Sequence, residues 1–306
     1  MKKTLLIIFL LYSSTSLLAI SPGTVGFEFL RTQVGARPAG MAGAFVAFAK
    51  DVNSLYYNPA GIATFSQKTG SFTYLRHLLD FNSGFIGYVQ PDMGPGNLGV
   101  SVLFMDYGDF PKTDINGQET GNFGANSVAL SSSYALSPYK NLFVGASVKY
   151  IRSSIDNFAA DAVAADFGLL YAIPSQALTL AISASNLGTA TSAFVETKDP
   201  LPSNVRLGFS KLLAHLPLVL SFNLYKYRDE DWYGALGGEF ILSDNLLLRL
   251  GYDSSGRDMQ VDSSKDRFAG AAIGLGLLWR TFKIDYSYTS FGVIGSLSRF
   301  SVTGQF

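Results

Sequence analysis

The chain contains no cysteine and only two histidines, His77 and His215. Without cysteine there is no disulfide framework and no thiolate metal site, so backbone pairing and packing must hold the fold. With two imidazoles expected at opposite ends of the molecule, a base-activated nucleophile and a soft-metal centre are both unexpected. The reading is therefore of a non-enzyme without cofactor or metal. An excess of one charge is missing too. Lys and Arg number 23 and Asp and Glu 23, and removal of Lys2 and Lys3 with a leader leaves 23 − 2 = 21 against 23, a net charge near 21 − 23 = −2. No nucleic-acid partner is implied. Beyond the run Leu5 to Leu11, no stretch is long and apolar enough for a helix of about 20 residues to cross a bilayer.

That run is the core of a leader. Lys2 and Lys3 precede it, and a Ser/Thr stretch leads to Ala19, so residues 1–19 read as a cleaved secretory signal. Cleavage after Ser21 is the less favoured choice, because Pro22 would follow. An exported chain that spans without long helices must span as a closed barrel, since hydrocarbon satisfies no free N–H or C=O. Charged residues make up only 15%, whereas Gly (31), Phe (24) and Tyr (16) are plentiful, as expected where aromatic girdles and a lipid-facing row replace a soluble surface.

The walls are legible as two-residue alternation. Phe282, Ile284, Tyr286 and Tyr288 alternate with Lys283, Asp285, Ser287 and Thr289, and Leu142, Val144, Ala146 and Val148 alternate with Phe143, Gly145, Ser147 and Lys149. Leu178 to Ser183, Val205 to Ser210 and Leu246 to Gly251 repeat the pattern. Charge belongs on the inner face, because Arg or Lys at the lipid midplane costs roughly 2–4 kcal/mol. The predicted strand Ala269 to Trp279 carries Gly270, Gly274 and Gly276 inward, which leaves room for something inside. At the end of the chain Phe306, Val302 and Phe300 share one face, and this terminal aromatic pattern resembles the signal read by the barrel-insertion machinery.

Laid end to end, the alternating segments give about fourteen strands from near Gly70 to Phe306, each of roughly the ten residues a tilted strand needs. Connection lengths sort as in outer-membrane barrels. Short turns are expected at Pro138 to Asn141, Pro174 to Gln176, Ala214 to His215, Ser243 to Asp244 and Arg280 to Thr281; longer outer loops are expected at Pro111 to Asn122, Gly188 to Ser203 and Ser254 to Asp266. A soluble periplasmic sandwich, the competing fold, gives no reason for such sorting. The fold class is thus all-β, a transmembrane antiparallel barrel occupying residues 67–306.

Residues 20–66 do not read as wall. Gly35, Ala36, Arg37, Met41 and Gly43 form a small-residue run suited to close packing, Asp51, Asn53 and Ser54 offer capping chemistry, and Asn58-Pro59-Ala60-Gly61 reads as a turn. A lumen of fourteen strands is wider than its own side chains fill, so this segment is expected inside as a hatch with short helices. A periplasmic tail is the alternative.

These residues carry a resemblance. Phe29-Leu30, Gly35-Ala36-Arg37, Met41-Ala42-Gly43-Ala44, Asp51 and Tyr57-Asn58-Pro59-Ala60-Gly61-Ile62-Ala63 resemble the opening of PorV/PorQ-type outer-membrane proteins. Asn186-Leu187-Gly188, Asp199-Pro200-Leu201-Pro202 and Arg206-Leu207-Gly208 match the same pattern later in the chain. That family is similar in turn to FadL-type transporters of long-chain fatty acids and other hydrophobic compounds. The resemblance implies a hatch that gates passage of a hydrophobic molecule, or, as in PorV-type members, a barrel serving the type IX secretion apparatus. A structural or adhesive barrel is a third reading. The partners implied are membrane lipid, the insertion machinery, and either a hydrophobic small molecule or a secretion translocon. Lys149, Asp166, Arg206, Glu239, Arg249, Lys283 and Asp285 are expected to face the lumen, either lining a polar path or pairing to brace the hatch. Asp258, Asp262 and Asp266 in one loop suit calcium, with a solvated acidic loop as the plainer explanation.

Overall fold

The alternating segments form strands, and the strands close on themselves. The computed structural model describes residues 25–77, 81–261 and 264–306; the expected leader at 1–19 lies outside the described residues, as does Asp262. The fourteen strands are β1 Thr69–Arg76, β2 Asn82–Met93, β3 Gly96–Thr113, β4 Glu119–Tyr139, β5 Leu142–Ile155, β6 Phe158–Ile173 and β7 Leu178–Ala190. They continue as β8 Asn204–Leu212, β9 Leu218–Tyr227, β10 Trp232–Ile241, β11 Leu246–Asp253, β12 Ala271–Trp279, β13 Phe282–Ser290 and β14 Ser296–Gln305. Each pairs antiparallel with its neighbours in sequence, and β1 joins β14 in register from Thr69↔Gln305 to Arg76↔Ser298. Closure leaves no sheet edge unpaired, which a lipid-exposed sheet requires.

Side chains sort by face as their chemistry demands. In β13 Phe282, Tyr286 and Tyr288 are exposed on the outside while Asp285, Ser287 and Thr289 are buried within. The same holds for Leu180 and Ile182 in β7 and for Ile273, Leu275 and Leu277 in β12. Among the described residues no helix is long and apolar enough to cross a membrane.

Three sequence boundaries need correction. The expected outer loop Pro111 to Asn122 is mostly strand, because β3 and β4 run on as a paired hairpin with Pro111 opposite Asn122. Past the membrane both faces of a hairpin meet water, so the alternation that marks a strand fades; the Phe110 and Phe123 rings, 5.5 Å apart, support the pairing instead. Likewise Gly188 lies in β7, which continues to Ala190, and the loop begins after it. Gly270 is not in β12. It occupies the preceding turn at φ 86°, a left-handed conformation that suits glycine.

The N-terminal part of the described chain lies inside the barrel as short helical pieces: a 3-10 turn at Glu28–Arg31, α1 Ala36–Gly40, α2 Ser54–Tyr57 and a 3-10 turn at Pro59–Thr64. Phe45 stacks on Phe48 at 4.4 Å and meets Tyr57 edge-on at 5.5 Å, giving this hatch a small aromatic core. Its backbone approaches the wall where the wall has glycine. A Cβ on Gly145 of β5 would fall 2.5 Å from the Ala60 nitrogen, one on Gly237 of β10 would fall 2.6 Å from the Met41 Cβ, and one on Gly274 of β12 would fall 3.0 Å from the Gly40 Cα. The inner glycines thus form a seat.

The seat is testable by adding one methyl group. Gly145→Ala is expected to unseat the Pro59 turn and lower stability by about 1–3 kcal/mol through overpacking. Gly234→Ala, whose new Cβ would meet nothing closer than 3.6 Å, should be nearly neutral. Urea unfolding in lipid, followed by Trp fluorescence, compares the two; equal behaviour would mean that the hatch does not rest on the wall.

Candidate functional site

An irregular segment inside a barrel has backbone polar groups that no ladder satisfies, and here the inner wall satisfies them. Ser301 in β14 accepts from the Ala36 amide at 2.8 Å, and Asn223 in β9 donates to the Gly43 carbonyl at 2.9 Å. Ser210 in β8 donates to Ala47 and Ser183 in β7 to Tyr57, each at 3.0 Å. Asn97 in β3 donates to the Ile62 and Phe65 carbonyls at 2.8 and 2.9 Å. The polar row that sequence alternation places inward is therefore a set of partners for the hatch.

Asn58 is the most connected of these points. Its side-chain oxygen accepts from the Ala60 amide at 3.1 Å and so caps the Pro59–Thr64 turn, where Pro59 occupies a position whose N–H would have no helical partner. Its amide donates to Val46 within the hatch at 3.0 Å and to Leu169 in β6 at 3.3 Å. Gly61 lies in the same turn against Ser54, where any Cβ would come 2.5 Å from the hydroxyl oxygen. Asn53, by contrast, makes no side-chain cap on α2; Asp51 accepts from its amide nitrogens instead, the backbone one at 3.0 Å and the side-chain one at 2.7 Å.

On the opposite wall the contact is ionic. Arg37 of α1 donates to both oxygens of Glu239 in β10, at 2.8 and 2.6 Å, and to Asp51 at 2.9 Å, while its guanidinium covers the Phe45 and Phe48 rings. Glu239 also takes Arg249 of β11 at 2.6 Å, Arg249 lies 2.8 Å from Asp285 of β13, and Lys283 lies 3.5 Å from both Asp51 and Asp285. Arg37, Arg249 and Lys283 balance Asp51, Glu239 and Asp285. Cancelling charge makes such a buried cluster tolerable, while Asp285 Oδ1 and both Arg249 Nη atoms are buried without a hydrogen bond. Burial raises the Asp51 pKa, but Lys283 and Arg37 outweigh it and hold the carboxyl down to about 2.

The remaining sequence candidates lie elsewhere. Lys149 and Asp166 pair at 2.6 Å in the β5–β6 wall, and Lys149 also reaches Asn186 at 2.8 Å. Asn186, at φ 58°, sits where β6 and β7 slip register, so the Asn186-Leu187-Gly188 run marks a bulge held by that pair. Gly35, at φ 77°, precedes α1, and Met41 and Gly43 follow it, Met41 against Gly237 and Gly251 of the wall. Phe300 faces outward, Val302 is half-buried, and the Phe306 amide bonds to the Lys68 carbonyl at 2.9 Å. Asp266 accepts from the Val261 and Val293 amides and Asp258 takes the Tyr233 hydroxyl, so these carboxylates organise a loop. Among the described residues no cluster is arranged to hold a metal.

Sequence reasoning missed a cavity. About 320 Å³ lies against the hatch, bounded by Arg31, Gln33 and Tyr57 of the hatch and by Arg206, Tyr227 and Arg299 of the wall. Its rim includes His77, Ser255, Met259 and Phe291, all in connections at the long-loop end, so it lies on the long-loop side of the hatch. The His77 ring meets the Ser83 hydroxyl at 2.6 Å, but burial and then the Arg299 charge lower its pKa to about 4, and Ser83 is fully buried. Such an imidazole is a weak base at neutral pH, and the pair makes a poor nucleophile.

The ionic contact yields a prediction with a worked sign. A carboxyl whose pKa is lowered on folding stabilises the seated hatch above its ordinary 3.8 and loses that contribution as pH falls through about 2. The intact barrel in a planar bilayer should therefore stay closed down to that ordinary value and leak only as pH approaches about 2. Arg37→Met should leak already at neutral pH, since breaking a buried pair costs about 3–5 kcal/mol. A silent Arg37→Met bilayer would show that the cluster does not hold the hatch.

Comparison with solved structures places the architecture. The toluene transporter TbuX of Ralstonia pickettii matches at a TM-score of 0.60 and 14% identity, covering 89% of this chain and 98% of its own. A FadL homologue of Pseudomonas aeruginosa matches at 0.60 and 12% identity over 90% and 98%, and the P. putida toluene transporter TodX at 0.60 and 12% over 89% and 98%. At such identities the likeness shows a shared fold, a FadL-type barrel. No curated protein matches the chain. The family model of the uncharacterised protein family UPF0164 matches residues 14–172, more than half of the sequence, and the protein belongs to that family.

Proposed function

We propose that the protein is a hatch-gated barrel of the outer membrane that admits small hydrophobic compounds. The observation that carries this reading is the cavity on the outer face of a hatch seated by polar contacts. A compound entering from outside meets aromatic surface at Tyr225, Tyr227 and Phe291 before it meets the hatch. The neutral hydrogen bonds of the seat exchange with water at modest net cost, so release is opposed mainly by the buried ion pairs and by the cluster that Val52, Leu55 and Ile62 form with Phe85, Val89 and Leu103 of the wall. In this reading residues 20–66 are the gate and 67–306 the wall, residues 1–19 direct export, and Phe300, Val302 and Phe306 address the insertion machinery. The toluene named for TbuX and TodX sets the size of compound to try first.

The resemblance to PorV/PorQ-type proteins sustains a second reading, a closed scaffold serving type IX secretion. One surface favours it. The β3–β4 hairpin carries Tyr107, Phe110 and Phe123, joined in a ring cluster by Phe81 from the β1–β2 connection, and a fully exposed Ile115 at its tip, a feature suited to a protein partner.

Deletion of residues 24–60 with the leader retained tests the gate. The truncated barrel is expected to insert and to raise bilayer conductance well above that of the intact protein, and insertion without such a rise would rule the gate out. In whole cells the intact chain should speed uptake of labelled toluene over empty vector. Absent uptake, together with stoichiometric copurification of a secretion protein, would move the conclusion to the scaffold.

A further inference from the structure

Two guanidiniums at the cavity have no carboxylate partner. Arg206 of β8 and Arg299 of β14 are 8% and 2% exposed, and neither forms an ion pair among the described residues. Arg206 donates from Nη2 to the Tyr227 hydroxyl at 3.1 Å and lies 5.7 and 5.3 Å from the Tyr56 and Tyr57 rings, while its Nε is buried without a partner. Arg299 donates from Nε to the Gln33 carbonyl and from Nη1 to the Thr289 hydroxyl, each at 3.0 Å. Neutral acceptors and ring faces offset part of the cost of burying a cation, but not its whole charge.

The other charges of the lining are already engaged. Arg31 takes Glu28 at 3.1 Å and both Asp229 and Glu230. Asp253 accepts the Tyr225 hydroxyl on both oxygens at 2.8 Å and the Ser255 amide at 2.9 Å. His77 is neutral near pH 7, since burial and the Arg299 charge lower its pKa to about 4. Among the described residues Asp253 has no ion-pair partner of its own and its charge acts on Arg206, whereas no carboxylate acts on Arg299, so the cation left over deep in the cavity is Arg299. Its walls are aromatic, with Tyr225 and Tyr227 edge to face at 6.0 Å and Phe291 nearby, and at about 320 Å³ it sits at the small end of ligand pockets.

We infer that this cavity binds a compact aromatic carboxylate, with its anion on Arg206 and Arg299 and its ring among Tyr225, Tyr227 and Phe291. The guanidinium forks supply the geometry for a carboxylate, and the rings supply flat apolar faces. A neutral aromatic hydrocarbon would leave Arg299 uncompensated and Arg206 offset only by Asp253, and a long acyl chain would gain little from a short cavity walled by rings. The inference rests on the cavity being the entry site of the passage proposed above, and it narrows the class of compound.

Calorimetric titration of the full chain in lipid nanodiscs with benzoate, toluene and decanoate is the test. Benzoate is expected to saturate at one per barrel and to bind at least about tenfold more tightly than toluene or decanoate. Arg206→Gln and Arg299→Gln should each weaken benzoate by about tenfold or more, a loss of about 1.4 kcal/mol, and leave toluene unchanged. Heat-modifiable gel migration reports whether each variant still folds, and the wild-type ranking of the three probes needs no variant. Toluene or decanoate binding as tightly as benzoate would overturn the carboxylate assignment and leave the passage reading intact. Benzoate binding untouched in both folded variants would also overturn it. Failure of all three probes, with no toluene uptake by cells, would remove both.

Discussion

Every backbone N–H and C=O at membrane depth must find a partner, and both halves of this molecule are solutions to that one constraint. The wall solves it by closure, with β1 joined to β14. The hatch cannot, because pieces of four to six residues leave most of their end groups free. Its partners are the serines and asparagines of the inner row, so the lumen face is polar for the hatch at least as much as for water. Glycines between those polar residues let the two backbones come close enough for the bonds to form. Without the glycines, Ser183 and Asn97 would be held away from the carbonyls they reach.

The alternation of apolar and polar residues was enough to read the strands, their number and their closure, because lipid on one side and a lumen on the other impose a strict two-residue period. Where that pressure ends, legibility ends. The hairpin beyond β3 and β4 carries Pro111, Asp114 and Gly117, which look like loop, yet Pro111 pairs with Asn122 because water on both faces permits strand without alternation. The turn at Asn58-Pro59-Ala60-Gly61 was legible from local chemistry. Its reach to Leu169 was not, since nothing local tells an Asn that caps a turn from one that also pins it to a strand more than a hundred positions away.

The inner charges show the same limit. Alternation puts Arg249, Glu239 and Asp285 on the inner face but says nothing of which strands lie side by side at which height. Only the register, with Glu239 opposite Arg249, joins them to Arg37. Lys149 and Asp166 look equivalent in sequence and yet form a separate pair that stabilises the bulge at Asn186. Arg206 and Arg299 are distinguished by what is missing around them, and a missing partner leaves no trace in a sequence.

The hatch is consequently held by two different locks on opposite walls. Around Asn58 and Pro59 it is held by shape and neutral hydrogen bonds against β5, β6 and β7; around Arg37 and Asp51 it is held by charge against β10, β11 and β13. Between them, residues 43–47 meet β8 and β9 through single bonds from Asn223 and Ser210. Gly43 also borders the cavity that holds Arg206. Neutral bonds are indifferent to pH, whereas the ionic lock is lost as pH falls toward about 2, and its burial shields it from salt. A hatch seated this way has one side held by charge and one held by shape and neutral bonds.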